Sequence, residues 1–349
     1  MKRVLVTGGA GFIGSHFVRL VLRQHPDWHI VNLDKLSYAG NLDNLSDLSD
    51  SKRHAFVKGD ICDHDLITSL WHDGPAGSGA SFDIVVNFAA ETHVDRSILW
   101  ADDFIKTDVL GAFTLLEAAR QFGVKRFIQI STDEVYGSIE RGKFTENSPL
   151  NPRNPYSASK AGADRLTYAY FATHNVPVII TRCSNNFGPN QYPEKFMPLF
   201  ITNALEDKPL PLYGDGRYVR DWIYVEDHCA AIDFLIAHGE VGETYNIAGG
   251  NEVENVEIAR RIVSKLGKPE SLIQLVKDRP GHDRRYSLDA SKLARLASKD
   301  SRQGWKPQHD FAAALDATID WYVTNESWWR KIKSGKFRQY YKRQYGHRL

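Results

Sequence analysis

The heptapeptide Ser131-Thr132-Asp133-Glu134-Val135-Tyr136-Gly137 crowds hydroxyls, two adjacent carboxylates and a phenol into seven residues. Neighbouring carboxylates repel and push each other's pKa apart, which suits a reaction needing one acid and one base. A second group, Gly8-Gly9-Ala10-Gly11-Phe12-Ile13-Gly14, reads as a dinucleotide fingerprint with either Gly8, Gly11 and Gly14 or Gly9, Gly11 and Gly14 as its glycines. Missing side chains let the backbone approach a pyrophosphate, and the N-terminus of a following helix faces the negative charge. A third group is Tyr156-Ser157-Ala158-Ser159-Lys160. A Tyr and a Lys four apart share one helix face. There the ammonium is expected to lower the phenol's pKa and hold a nicotinamide ribose, leaving Tyr156 to remove a hydroxyl proton.

These groups need elements to hold them. Residues 4–7 read as a buried strand that runs at once into the glycine turn, and a helical pattern follows (Phe17, Val18, Leu20, Val21). Residues 29–34 read as a second strand ending in Asp34, twenty residues beyond Gly14. A carboxylate there accepts from adenosine ribose hydroxyls and repels a 2′-phosphate, which favours NAD over NADP; Lys35 beside it softens that choice. Residues 56–61 read as a third strand, with Asp60 placed to meet the adenine. The Gly- and Ser-rich stretch 74–81 reads as a surface loop. Residues 83–90 form a fourth strand running into the polar cluster 91–97, where His93 has no partner at metal-ligand spacing. A helix marked by Val109, Leu110, Phe113, Leu116 and Ala119 carries Thr107 near its start. The apolar run Phe127, Ile128, Ile130 puts the opening heptapeptide at a strand's carboxyl end, where ligands bind in open α/β sheets. Residues 177–182 are a further buried strand. This alternation predicts an α/β chain with a Rossmann-type doubly wound parallel sheet.

Beyond residue 182 the pattern changes to shorter elements and scattered basic residues, suited to a smaller α/β substrate lobe. Its signals are Asn185-Asn186, Lys195-Phe196-Met197-Pro198, Tyr213-Gly214-Asp215-Gly216, Arg220-Asp221-Trp222 and residues 278–283. Arg offers a bidentate fork for phosphate. The expected division is 1–182 for the cofactor domain, with a later return of the chain over roughly 218–240. Residues 183–217 and 241–330 make the substrate lobe, and 331–349 a basic, solvated C-terminal helix and tail.

The 349 residues balance 44 Lys and Arg against 43 Asp and Glu, so no global field favours nucleic acid or a membrane surface. Cys62, Cys183 and Cys229 lie too far apart for a metal site or a disulfide framework and read as small hydrophobes in a reducing compartment. No apolar run approaches the ~20 residues of a membrane helix. The first strand follows Met1-Lys2-Arg3 directly, so no signal peptide and a cytoplasmic location are expected.

Gly8–Gly14, Asp34, the Tyr156…Lys160 pair and Asn185-Asn186 resemble the extended short-chain dehydrogenases/reductases that act on nucleotide sugars. Thr132-Asp133-Glu134 narrows the resemblance to the dTDP-glucose 4,6-dehydratases, since the related epimerases usually lack the acid pair; it covers residues 2 to about 330. The resemblance implies a lyase that uses NAD internally. Tyr156, aided by Thr132, takes the C4 hydroxyl proton, Glu134 removes the C5 proton, and Asp133 protonates the departing C6 hydroxyl. It implies cofactor contacts at Gly8, Gly11, Phe12, Ile13, Gly14, Asp34, Lys35, Leu36, Ser37, Asp60, Ile61, Ala89, Ala90, Thr107, Tyr156, Lys160 and Asn186. Substrate contacts are implied at His93, Thr132, Asn185, Lys195, Phe196, Met197, Pro198, Leu199, Tyr213, Arg220, Asn255, Arg279 and His282, with no metal. The loop between Gly137 and Tyr156 is shorter than in many bacterial members. The resemblance also implies a homodimer through the Tyr/Lys helix and the helix before it, with Ala158, Ala161, Ala163, Leu166, Ala169 and Phe171 offering small and apolar surface. The competing readings are a 4-epimerase, a dehydratase of another nucleotide-hexose such as UDP-glucose, and a non-catalytic NAD sensor.

Overall fold

The computed structural model describes residues 1–72, 81–296 and 304–346; the stretch 74–81, Ser81 apart, lies outside them. The chain opens with β1 (Lys2–Thr7), α1 (Phe12–Gln24), β2 (Trp28–Asp34), β3 (His54–Lys58), α2 (His64–His72) and β4 (Ile84–Asn87). The short helices α3 (Val94–Leu99) and α4 (Asp102–Phe104) follow, then a wide π turn at 105–111 that runs into α5 (Ala112–Phe122), and β5 (Arg126–Thr132). Next come α6 (Pro155–His174), β6 (Val178–Cys183), β7 (Asn185–Phe187), α7 (Phe196–Leu205), β8 (Leu210–Tyr213), β9 (Val219–Tyr224), α8 (Val225–His238), β10 (Thr244–Ile247) and β11 (Glu252–Glu254). The chain closes with α9 (Asn255–Lys265), β12 (Ile273–Val276), α10 (Ser291–Arg295), α11 (Phe311–Thr324), α12 (Glu326–Ile332) and α13 (Lys336–Tyr345).

Seven parallel strands form the main sheet in the order β10-β6-β5-β4-β1-β2-β3. Their near-continuous apolar runs are what a sheet covered on both faces requires. Val4, Val6, Ile128 and Ile179 pack with α1 and α8 on one face. Leu5, Val85, Phe127 and Val178 pack with α2, α5 and α6 on the other. The order reverses between β1 and β4, which opens a crevice at their carboxyl ends.

The smaller lobe holds the sheet β11-β9-β7 and the pair β12-β8. Its core joins α7 and α9 to α11–α13 through Phe200, Ile258, Leu315, Tyr322 and Trp329. Two expected boundaries are corrected here. The chain returns to the main sheet through α8 and β10, at 225–247, whereas β9 belongs to the small sheet; the expectation of 218–240 missed a four-residue edge strand too short to announce itself. The C-terminal segment 331–349 is not a solvated tail over its described part. Phe337, Tyr340 and Tyr345 are buried, because positions 337, 340, 341, 344 and 345 follow the i, i+3, i+4, i+7, i+8 spacing of one face of α13, while Arg338, Lys342 and Arg343 face away. Lys333 is buried too, donating to Glu206 Oε2 at 2.6 Å and Asn203 Oδ1 at 2.9 Å.

Cys183 and Cys229 are buried and Cys62 half-buried, all as free thiols. Among the described residues no helix is long and apolar enough to cross a membrane.

Candidate active site

A long cleft crosses the carboxyl ends of β1, β4 and β5 and continues into the smaller lobe, lined from Gly8 to Tyr345. At one end lies the turn from β1 into α1. Gly8 has φ +70°, and a Cβ there would stand 2.7 Å from the Ala89 amide nitrogen. A Cβ on Gly14 would stand 2.4 Å from the Gly8 carbonyl oxygen, so the helix can meet the turn only with glycine at that position. α1 begins after Gly11 with no side-chain cap, leaving its first amides free for an anion.

Asp34 ends β2 with Oδ2 accepting from Ala10 N at 3.0 Å and Oδ1 from Leu36 N at 2.8 Å. Burial raises its carboxyl above the ordinary value while these two amides hold it down. Lys35 does not reach toward Asp34; it pairs with Asp60 at 3.2 Å. These contacts fix a carboxylate at the end of β2, a group that repels a 2′-phosphate. Thr107 Oγ1, also lining the cleft, is buried without a hydrogen-bond partner. The glycine cradle, the paired carboxylate and this idle hydroxyl all fit NAD.

Mid-cleft stands the heptapeptide. Ser131 and Thr132 finish β5, and residues 133–136 form one 3-10 turn capped by Thr132 Oγ1, which accepts from Glu134 N at 3.3 Å. Gly137 closes the turn at φ +82°. Tyr136 points away from the cleft: its hydroxyl donates to Asn246 Oδ1 at 2.9 Å and accepts from Arg182 Nη1 at 2.7 Å. Arg182 is itself locked to Asp164 by bonds of 2.8 and 2.9 Å. The phenol is thus the anchor of the turn.

The two carboxylates meet different surroundings. Asp133 is fully buried; burial first, and then the Glu134 charge, push its carboxyl well above the ordinary range. Thr132 Oγ1 donates to its Oδ1 at 3.1 Å, and its Oδ2 has no partner. Glu134 is half-buried, with Oε2 accepting from Ser157 Oγ at 3.2 Å and lying 3.5 Å from the Tyr286 hydroxyl. Burial thus drives one carboxyl toward its protonated form, while its neighbour is met by hydroxyls.

Tyr156 and Lys160 share the buried face of α6, whose start is fixed by Asn154 Oδ1 accepting from Ser157 N at 2.9 Å. The expected electrostatic help of Lys160 to the phenol is not what dominates. Burial, then Glu134 and Asp108, raise Tyr156 well above 10, and a hydrogen bond with Thr132 pulls the other way. Lys160 Nζ donates instead to the Ile130 carbonyl at 2.6 Å, and burial lowers its own pKa. Beneath it, Asp108 Oδ2 accepts from Ser159 Oγ at 2.6 Å, and burial raises that carboxyl to about 6.

The far end is basic and largely buried. Arg220 is buried, donating to the Asp283 and Val219 carbonyls at 2.8 Å each. Arg279 Nη1 donates to Asp95 Oδ1 at 2.9 Å, and its buried Nε has no partner. Lys195 donates to the Thr92 carbonyl. His282 shares Nδ1 with Asp278 Oδ1 at 2.6 Å, yet burial and then Arg279 and Arg220 push its pKa down to about 3. Asn185 Oδ1 and Asn255 Oδ1 are also buried and idle. Three cations among unpaired polar atoms give this end the charge and the donors that suit a diphosphate.

Nearly every residue named in the sequence as a catalytic, cofactor or substrate position borders this one cleft. The exceptions are Leu36, which contributes only its amide to Asp34, and Pro198, which the helical step after Met197 turns into the lobe's interior. His93 borders the cleft while capping α3, its Nδ1 accepting from Arg96 N at 3.4 Å. Residues the sequence did not flag also line it: Gln191, Tyr192, Glu194 and Tyr345. None of the four carries a local signal; Glu91, Ser131 and Trp222, named in the sequence only as parts of longer runs, line it as well. Among the described residues no three His, Cys, Asp or Glu side chains are placed to hold a metal.

A doubly wound sheet with a glycine cradle, a Tyr/Lys pair, an acid pair and a basic second lobe defines a Rossmann-type enzyme acting on nucleotide sugars. Residues 5–318 match the GDP-mannose 4,6 dehydratase family model, and the chain belongs to that family. It is 51% identical to the low-salt glycan biosynthesis protein Agl12 of Haloferax volcanii, covering 93% of this chain and 99% of that one. It is 47% identical to a dTDP-glucose 4,6-dehydratase of Actinoplanes sp., over 94% of this chain and 99% of the other. In structure it is similar to DesIV of Streptomyces venezuelae, a dTDP-glucose 4,6-dehydratase solved with NAD and dTDP bound. The TM-score is 0.89 at 48% identity, over 95% of this chain and all of that one.

Proposed function

We propose that the chain is a hydro-lyase that converts dTDP-glucose to dTDP-4-keto-6-deoxyglucose and water. The observation that carries this is the acid pair at the end of β5: a fully buried Asp133 with one oxygen idle and its pKa raised by burial, beside a Glu134 met by hydroxyls. Oxidation alone has no use for such a pair, and elimination of water across C5 and C6 needs both members.

NAD, when bound, supplies the acceptor for the C4 hydride, returns that hydride to C6, and brings a positive ring that eases loss of the Tyr156 proton. Gly8, Gly11, Phe12, Ile13 and Gly14 would hold its pyrophosphate, Asp34 and Asp60 its adenosine, and Lys160 with Thr107 its nicotinamide side. Tyr156 takes the C4 hydroxyl proton, with Thr132 in hydrogen-bond contact with its side chain. Once C4 is a ketone the C5 proton is acidified, and Glu134 removes it. Asp133 delivers its proton to the C6 hydroxyl, which leaves as water; Glu134 then returns a proton to C5 as C6 is reduced, and the proton taken up by Tyr156 balances the one that Asp133 must regain. Arg220, Arg279 and Lys195 bind the diphosphate, and Asn185, Asn255 and the wall from Phe196 to Leu199 hold the nucleoside. The division of labour between a cofactor lobe and a substrate lobe rests on the same partition of residues.

The enzyme works in the cytoplasm as a homodimer through α5 and α6. Leu110, Phe113 and Tyr168 support this, as large apolar side chains more than 40% exposed on that face. Ala158 and Ala169 lie on it too, whereas Ala161 and Ala163 are buried within the subunit and contribute nothing outside. Sedimentation showing only monomer at micromolar concentration would overturn the dimer. The function is tested by mixing the protein with dTDP-, UDP-, GDP- and CDP-hexoses and identifying products. A 4-keto-6-deoxy sugar from dTDP-glucose is expected; dTDP-galactose would make the protein an epimerase, and no turnover of any nucleotide sugar would make it a sensor.

A further inference from the structure

The C-terminal helix α13 reaches the basic end of the cleft through a chain of buried hydrogen bonds. Gln344 Nε2 donates to Asp95 Oδ2 at 3.0 Å and to the Tyr213 hydroxyl at 2.8 Å. That hydroxyl donates to the same Asp95 oxygen at 2.8 Å, and Asp95 Oδ1 accepts from Arg279 Nη1 at 2.9 Å. Gln344 is 6% exposed and Asp95 3%. Next to them Tyr345 lines the cleft itself, its hydroxyl 3.4 Å from that of Tyr213. One turn earlier, Tyr340 covers the Arg96 guanidinium at 4.4 Å.

We propose that α13 completes the nucleotide-sugar site, with Gln344 a positioning residue that acts through Asp95 on Arg279, and Tyr345 a wall of the nucleoside-diphosphate pocket. The inference rests on the proposed function. Its physical basis is the geometry of Asp95. A buried carboxylate keeps one orientation only when its lone pairs are filled. Arg279 fills one side, and Gln344 and Tyr213 share the other. Without the amide, Asp95 can rotate toward Tyr213 and carry the guanidinium with it. The free Nε of Arg279 then no longer faces the cleft at a fixed angle, and bidentate capture of a phosphate depends on that angle.

The test uses the full chain with Gln344→Met, which keeps volume and removes both donors, and Tyr345→Leu as a second variant. Thymidine diphosphate affinity is measured by calorimetry, alongside kcat and KM for dTDP-glucose, NAD content and thermal midpoint. For Gln344→Met, affinity should weaken about tenfold and KM rise in step, with kcat within about twofold, the scale on which one hydrogen bond to a charged group counts. NAD content and the thermal midpoint should not move. Tyr345→Leu should show the same split. Unchanged thymidine diphosphate affinity in both variants, or losses that only follow falling NAD content and thermal midpoint, would overturn the role of α13. A wild-type protein that binds no thymidine diphosphate would instead overturn the proposed function.

Discussion

Glu134→Gln separates the two halves of the proposed reaction. Gln keeps the shape of the side chain, and its carbonyl oxygen can still accept from Ser157 and Tyr286, which meet Glu134 Oε2 at 3.2 and 3.5 Å. Exchanging charge-assisted bonds for neutral ones at a half-buried site costs about 1 kcal/mol, so the fold should survive. The loss of a positioned general base is a larger matter, about 10²–10⁴-fold in rate, or ~3–5 kcal/mol of barrier. That loss falls on C5 deprotonation alone. The charge of Glu134 is also the second cause, after burial, of the raised pKa of both Asp133 and Tyr156. Removing it lowers the phenol's pKa and so enlarges the fraction present as phenolate, and C4 oxidation should proceed at least as well as in the wild type. Stopped-flow absorbance of reduced nicotinamide should therefore rise on adding dTDP-glucose and persist. Mass spectrometry should find little dehydrated product and little solvent deuterium at C5. Normal turnover, or no accumulation of reduced nicotinamide, would refute the assignment of Glu134 as the C5 base.

Asp133→Asn should slow elimination about 10²–10⁴-fold while sparing oxidation. In the wild type, elimination should fall as pH rises through the raised pKa of Asp133, because the acid must carry its proton; this alkaline limb should vanish in the variant's pH–rate profile. Glu91, raised from 4.5 to about 7 by burial and by Asp108, makes the folded protein bind more protons than the unfolded chain between those values. Stability should therefore decline as pH rises through that window. Glu91→Gln should lift ligand-free stability at about pH 8 by up to ~3 kcal/mol, and change it little near pH 4, in denaturant titrations. Arg182→Met leaves Asp164 buried without its main partner and should cost about 3–5 kcal/mol in the same assay, with the heptapeptide loosened beneath Tyr136.

What the sequence determined by itself was local. The strand–turn–helix with its glycines and the acid at the end of β2 are written within runs of a few dozen residues. So are the Tyr156…Lys160 face and the place of Thr132-Asp133-Glu134 at a strand's end. Periodicity and turn chemistry act over those distances. Only the tertiary structure decided what those groups meet. Tyr286 comes to Glu134 from 152 positions away, β10 joins the main sheet beside β6, and Gln344 reaches Asp95 across 249 positions. The basic composition of the last twenty residues pointed to solvent, yet α13 buries its aromatic face because a matching apolar surface waits on the second lobe. Lys160 finds the Ile130 carbonyl rather than the phenol for the same kind of reason. The raised pKa of Asp133 was likewise beyond the sequence, since desolvation depends on every element that closes over a carboxylate, and no local pattern records how completely the fold buries it.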